Sequence, residues 1–318
     1  MLMLRLFAGL LAGVVLVGAY RAHADDAMRI AVGQRGLWDT SAIELGQRGG
    51  IFKKHGITLD ILYTQGSGET QQAVVGGSVE LGMSAGSMGV FGAYSKGAPV
   101  RIIGAEMTGG ADLFWYVRSD SPIRTLQDTD GKTIAYSTNG ASTHAIVNAF
   151  IKQYGLKAKP VATGSPPATL TQVMSAQVDV GWGGPPFGLD LIDQGKIRII
   201  ANGNDAARLK NQTVRVIITN VATLQARQQA IERFMKAYRQ TVDWMYSDPA
   251  VFRHYADFMG ISETIGRRSR DAFYPQAALN PDNIIGIDAI NADAVEFKYM
   301  AAPLTSEQLA ELIRIPPR

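Results

Sequence analysis

Cysteine is absent from all 318 residues. Without it there are no disulfides, no thiolate metal ligands, no thiol nucleophile and no thioether lipid anchor. Histidine is almost as scarce, with only His55, His144 and His254 beyond residue 24. No His-Glu-x-x-His string and no His/Cys cluster occurs, so a zinc enzyme lacks a ligand set and no cofactor is expected. The Gly-x-x-x-x-Gly-Lys-Ser/Thr string of a P-loop is missing too, and a serine-hydrolase site is not expected. An excess of one charge is also lacking. Beyond residue 24 there are 29 basic against 28 acidic side chains, with no basic cluster interleaved with aromatics. Nucleic acid is therefore not an expected partner.

Long apolar runs are lacking except at the start. Leu6 to Tyr20 is apolar, with Arg5 before it and Ala22-His23-Ala24 after it. A run shorter than a comfortable membrane span of roughly 20 residues, ahead of a small-x-small site, reads as a secretory signal peptide. Residues 1–24 are expected to be removed after Ala24, leaving an exported, periplasmic chain. The remainder, in a protein that is 46% apolar and 19% charged, has the composition of a globular protein and the length of about two domains.

What is present is a repeat. Phe52-Lys53-Lys54-His55-Gly56-Ile57, Gly66-Ser67 and Val79-Glu80-Leu81-Gly82-Met83 form one copy. Ile151-Lys152-Gln153-Tyr154-Gly155-Leu156, Gly164-Ser165 and Val178-Asp179-Val180-Gly181-Trp182 form the other. Gly56 and Gly155 stand 99 positions apart, as do Glu80 and Asp179, and Gly82 and Gly181. Each copy reads as a helix stopped by glycine, a strand, a turn, a helix, and a strand behind an acid; that acid is read as structural. Alternating strands and helices predict an α/β protein with largely parallel sheets and helices on both faces. Two matched lobes imply a cleft.

The expected division is 25–112 for the first part of lobe 1, 113–216 for lobe 2, and 217–318 for the completion of lobe 1 and the C-terminal helices. Leu113–Arg118 and Val214–Thr219 are the expected crossings. Asp39 or Ser41 is a candidate cap for the first helix, and Thr223 for a long helix with the stripe Leu224, Ile231, Phe234, Met235, Tyr238, Val242 and Met245.

Ligands of such sheets sit beyond the carboxyl ends of the strands. Asn139-Gly140-Ala141-Ser142-Thr143 lies between a strand and a helix, where free amides favour an anion; plain capping by Asn139 or Ser142 is the alternative. Ser84-Ala85-Gly86-Ser87 is read as a strand-exit loop, and Ser67 lies in a weaker anion cradle. Arg35 offers a cation. Trp38 and Trp182 are candidates to sandwich a planar body, against core packing as the alternative. His144 sits one turn inside the site helix.

Taken together, the chain resembles the periplasmic solute-binding proteins of ABC importers, in the nitrate/sulfonate/taurine and pyrimidine-precursor branch. The resemblance is carried by IAVG at Ile30, GIFKKHGITLDI from Gly50, GSVELGM from Gly77 and KGAPVRIIG from Lys96. It continues through LQDTDGKTIAYSTNGAST from Leu126 and VDVGWGGPP from Val178, and covers Met28 to Thr219. It implies the two-lobed periplasmic-binding-protein fold of type II, without enzymatic activity. It also implies capture of a small organic anion, a sulfonate or carboxylate, by a monomer that hands it to an inner-membrane permease. By position it places Trp38, Ser67, Ser84, Ser87, Asn139, Ser142, Thr143 and Trp182 in the cleft; Arg35 and Gly140 join them from their own loops. Family members often carry an acid where this chain has Gly184. The same fold hosts pyrimidine-synthesis enzymes that rely on a cysteine-rich iron motif, which a cysteine-free chain cannot supply. An enzyme using His144 as acid/base is the alternative.

Overall fold

The computed structural model describes residues 26–318, so the expected signal segment lies outside it. Among the described residues no helix is long and apolar enough to cross a membrane. The first lobe runs through β1 (Asp26–Gly33), α1 (Ala42–Arg48), α2 (Ile51–Lys54), β2 (Ile57–Thr64), α3 (Ser67–Val75), β3 (Leu81–Gly86), α4 (Ser87–Ser95) and β4 (Val100–Thr108). The second comprises β5 (Phe114–Arg118), β6 (Thr133–Tyr136), α5 (Ser142–Tyr154), β7 (Lys159–Ala162), α6 (Pro166–Met174), β8 (Gly181–Gly183), α7 (Leu189–Asp193) and β9 (Ile197–Asn202). The chain returns through β10 (Thr213–Asn220) to α8 (Val221–Ala226), α9 (Gln228–Ser247), α10 (Val251–Met259), α11 (Glu263–Phe273), α12 (Ile287–Glu296) and α13 (Ser306–Leu312).

The first sheet has the order β2-β1-β3-β10-β4, with β10 antiparallel to both neighbours. In the second lobe β8-β5-β9 and β6-β7 are joined by a bridge from Ile134 to Val180, giving the order β7-β6-β8-β5-β9. Here too the fourth strand, β5, is antiparallel to its neighbours. Each lobe thus holds one strand lent by a crossing of the chain. The expected crossings are these two strands; the connections precede them, at Gly109–Leu113 and Gly203–Gln212, where Gly203 donates to Leu113 at 2.8 Å and Gly109 to Gln212 at 2.8 Å. The expected boundary at 216 falls inside β10, which belongs wholly to the first sheet.

The repeat is visible atom by atom. Glu80 accepts the Arg29 amide at 2.8 Å, and Asp179 accepts the Thr133 amide at 2.9 Å. The hydroxyls of Thr64 and Thr70 pair at 2.8 Å, and those of Thr163 and Thr169, 99 positions on, pair at 2.6 Å. The acids therefore staple the start of β3 and of β8 to a neighbouring strand. Gly56 (φ 65°) and Gly155 (φ 62°) take the left-handed stop that an L side chain resists. The offset also pairs Ser165 with Gly66, both N-caps, rather than with Ser67.

Several local expectations change. β3 extends through Ser84-Ala85-Gly86 and α4 starts directly at Ser87, so there is no loop there. The Ser41 hydroxyl donates back to Leu37 at 2.7 Å instead of capping α1, and no side chain caps that helix. Thr223 caps nothing: Asn220 caps α8 by accepting the Thr223 amide at 2.8 Å, and the long helix is two pieces that break at Arg227. The apolar face of α9 packs with α1 and α10 under the first sheet, burying Phe234, Tyr238 and Met245. Each such side chain is worth about 1.5–3 kcal/mol of burial.

Candidate functional site

The carboxyl ends of β1, β3 and β4 and the start of β10 converge where the lobes meet. Two non-glycine residues there have positive φ, Gln34 at 72° and Ser84 at 62°, a conformation that costs about 1–3 kcal/mol and is held only by its surroundings. Ser84 is held by Glu106 of β4, which accepts its amide at 2.6 Å. Gln34 is held by Thr64, which takes its amide at 3.2 Å, and by Gln65, whose carbonyl takes its carboxamide at 2.5 Å.

Between these ends lies a buried charge cluster. Arg215 of β10, 3% exposed, directs Nη2 to Asp112 at 2.6 Å and to Asp39 at 3.1 Å. Its Nη1 reaches the Ser142 hydroxyl, at the start of α5 in the other lobe, at 3.5 Å. Asp39 and Asp112 are fully buried and Glu106 is 1% exposed. Burial first, and then the charge of Asp39 beside it, pushes the Glu106 carboxyl well above the usual range. Burial raises Asp112 to about 6 against the pull of Arg215. Arg215 holds its proton more tightly than usual, burial being outweighed by Asp112, Asp39 and Glu106. The protonated Glu106 carboxyl hydrogen-bonds Asp39, while Asp112 Oδ1, Arg215 Nε and Gln34 Oε1 lack hydrogen-bond partners. The 3.1 Å approach of Arg215 to Asp39 is a charge contact without an aligned N–H.

A seam surrounds the cluster. Gly68 donates to the Thr138 hydroxyl at 3.0 Å. A Cβ on Gly86 would lie 2.1 Å from the Gly140 carbonyl, and one on Gly89 2.4 Å from it, so the absence of side chains lets α4 close on the loop before α5. Tyr274 donates to Pro185 at 3.1 Å. Farther out, Arg268 of α11 forms a two-pronged pair with Asp193 of α7 at 2.6 and 3.0 Å, and Lys152 of α5 pairs with Glu296 of α12. Beside the seam runs a groove of about 450 Å³ lined by Gln71, Gly89, Lys96, Asn139, His144 and Tyr299. His144 there stacks on Tyr136, its Nδ1 accepting from Tyr299 at 2.9 Å, and burial pushes its pKa down to about 4.

The expected site residues divide. Ser84, Ser87, Gly140 and Ser142 lie at the junction, and Ser87 and Ser142 share a small hollow with Gly86 and Thr213. Ser67 ties two turns of lobe 1 together by accepting from the Gly86 amide at 2.6 Å and from Gln71 at 2.8 Å. Thr143 accepts the Ser137 amide at 3.0 Å, and Asn139 accepts from Tyr136 at 2.7 Å, so both serve the loop itself. Three assignments need correction. Trp38 is fully buried among Phe252 and Tyr255 of lobe 1, and Trp182 is core in lobe 2, opposite Trp115. Neither indole forms a wall of a sandwich. Arg35 is exposed and bound to α10, donating to the Phe258 carbonyl at 3.0 Å with its guanidinium 4.3 Å from that ring.

Sequence reasoning missed Arg215, Glu106 and Asp112, and considered Asp39 only as a cap. The signal was available: Arg215 is the one charge in β10, and Glu106 is the one acid in a largely apolar β4. It also overlooked Gly82-Met83-Ser84-Ala85-Gly86, which has the spacing of a nucleophile elbow. Ser84 has the strained φ of such an elbow, but His144, the candidate base, is engaged by Tyr299, and Glu106 binds the Ser84 amide rather than a histidine.

A family model described as NMT1/THI5 like matches residues 39–251. A 4-amino-5-hydroxymethyl-2-methylpyrimidine phosphate synthase of Aspergillus parasiticus is 22% identical over 69% of this chain and 67% of its own length. Its counterpart THI12 of Saccharomyces cerevisiae is 21% identical over 68% and 66%, so the chain spans about two thirds of these curated relatives. Among solved structures, the alkanesulfonate-binding protein SsuA of Xanthomonas axonopodis pv. citri, bound to MOPS, superposes with a TM-score of 0.77 at 20% identity, covering 91% of this chain and 98% of that one. The periplasmic nitrate-binding protein NrtA of Synechocystis PCC 6803 gives a TM-score of 0.70 at 12% identity, covering 91% and 86%. The fold is thus that of the periplasmic binding proteins, and the chain belongs to the NMT1/THI5-like family.

Proposed function

We propose that this protein is an exported, monomeric solute-binding protein that closes two lobes on one small molecule and delivers it to an ABC-importer permease in the inner membrane. The observation that carries this reading is the junction itself. Both lobes and the first crossing segment contribute to one buried cluster in which several polar atoms remain unpaired, which is how a site made for a polar guest differs from a finished core. The likeness to binding proteins for sulfonates and nitrate supports the same role. A guest held at micromolar affinity needs about −8 kcal/mol, within reach of a few charge-assisted hydrogen bonds.

The enzyme alternative draws on the synthase relatives, but its intended acid/base is a neutral imidazole at physiological pH, fixed by Tyr299 and packed on Tyr136. The expectation of an organic anion rests on the helix start at Asn139–Thr143, on the weaker cradle at Ser67 and on the neighbours' ligands. A thermal-shift screen of sulfonates, aromatic carboxylates, pyrimidines and small amines tests the reading. At least one class is expected to raise the unfolding temperature saturably; no response across the whole screen would overturn solute capture.

A further inference from the structure

We propose that Asn139-Gly140 is a site of spontaneous covalent modification, where Asn139 loses ammonia through a cyclic imide and becomes aspartate or isoaspartate. The same dipeptide at Asn202-Gly203 is protected by the fold. In the reaction the Gly140 nitrogen attacks the side-chain carbonyl carbon of Asn139. One C–N bond forms, the bond to the carboxamide nitrogen breaks, and ammonia departs with the proton that the Gly140 amide gives up. Water then opens the ring at either carbonyl. Neither a solute nor any reactant besides water is needed, so the site stands apart from solute capture. Asn139 is exposed and lies on the groove that holds His144, so water reaches it. The Tyr136 hydroxyl donates to Asn139 Oδ1 at 2.7 Å, the oxygen on which negative charge develops during the attack. The Gly140 amide is committed to no carbonyl among the described residues; it donates at 3.4 Å to His144 Nδ1. That nitrogen also takes the Tyr299 hydroxyl at 2.9 Å, so it is the unprotonated one and directs its lone pair at the proton to be removed. Burial keeps the imidazole neutral at physiological pH.

Asn202 is exposed as well, so exposure does not separate the two dipeptides. The glycine amide does. Gly203 donates to the Leu113 carbonyl at 2.8 Å, and it is packed so closely on Gly110 that a Cβ would lie 2.4 Å from the Gly110 carbonyl. Cyclisation there would break the bond that ties the two connections between the lobes. At Asn139 it breaks only the long contact to His144. Conversion also bears on the seam. The product adds a negative charge to a groove whose cations are Lys96 and Lys298. The isoaspartyl form inserts a methylene into the backbone of a turn whose Gly140 carbonyl faces Gly86 and Gly89 with no room for a methyl group.

Ageing the full chain at mildly alkaline pH, folded and in urea, with peptide mapping by mass spectrometry and enzymatic labelling of isoaspartate, tests this. In the folded chain Asn139 is expected to convert at least about tenfold faster than Asn202, and in urea the two rates are expected to converge. Equal rates in the folded chain, or a faster Asn202, overturn the assignment, as does an Asn139 that converts only in urea. A tenfold gap that persists in urea overturns protection by the fold. Folded Tyr136→Phe and His144→Phe are each expected to slow Asn139 at least about threefold; an unchanged rate in either overturns the part given to that side chain. The wild-type comparison decides the site even if neither variant folds. The isoaspartyl fraction, isolated by anion exchange, is expected to unfold at a lower temperature than the unmodified chain; equal temperatures overturn the effect on the seam.

Discussion

At the scale of single residues, burial governs the chemistry of the junction. Asp112 has a folded pKa of about 6, above its ordinary value, because burial disfavours its charge more than Arg215 favours it. The folded state therefore binds this proton more readily than the unfolded chain, and the contribution of Asp112 to stability declines as pH rises from about 4 through about 6. His144 acts in the opposite direction. Its pKa of about 4 lies below the ordinary 6.5, so its contribution is complete above about 6.5 and is lost as pH falls toward about 4. Each is worth at most ~3 kcal/mol. Urea unfolding across pH 4.5–7.5 is expected to show a smaller pH-dependent loss on acidification in His144→Gln than in wild type, and a larger one in Asp112→Asn. Parallel curves for all three proteins would contradict this account.

At the scale of elements, small residues decide how closely the lobes approach. Gly86 has φ −65° and ψ 125°, which alanine adopts freely, so Gly86→Ala does not strain β3 or α4. Its methyl group would nonetheless lie 2.1 Å from the Gly140 carbonyl across the seam. The expected result is a folded protein whose closed state is blocked, with solute affinity reduced at least tenfold, or about 1.4 kcal/mol. Calorimetry beside circular dichroism separates lost closure from lost folding. Elements were also where the sequence was most legible. The apolar runs, the Gly56 and Gly155 stops and the paired acids Glu80 and Asp179 are local patterns, and they read correctly. The extent of β3 and the break at Arg227 were not legible, because tertiary partners set both: Glu106 holds Ser84 in the strand, and Arg227 turns aside to the Ala27 carbonyl at 2.8 Å and to Glu80 at 3.1 Å.

At the scale of the whole molecule, the duplicated lobes were legible, while the charges buried between them were not. Hydroxyls and glycines at helix starts pointed to the junction, where Ser142 reaches the buried cluster. The two tryptophans looked equally eligible from sequence, yet an indole beside a strand end serves the core as readily as a ligand; here Phe252, Tyr255 and Trp115 claim them. The buried charges lie before α1, on β4, on β10 and in the first crossing segment, brought together only by folding.

The central claim is that solute binding shifts the protein from lobes apart to lobes together. Because the chain has no cysteine, a single pair of introduced labels reports this without background. Leu62 of lobe 1 and Met174 of lobe 2 are 50% and 42% exposed, and serve as Leu62→Cys and Met174→Cys carrying spin labels. Pulsed electron–electron distance measurement, with and without a solute that raises the unfolding temperature, is the decisive measurement. The account predicts two distance populations without solute and one, the closed distance, at saturation. A single distribution that saturating solute leaves unchanged would contradict it.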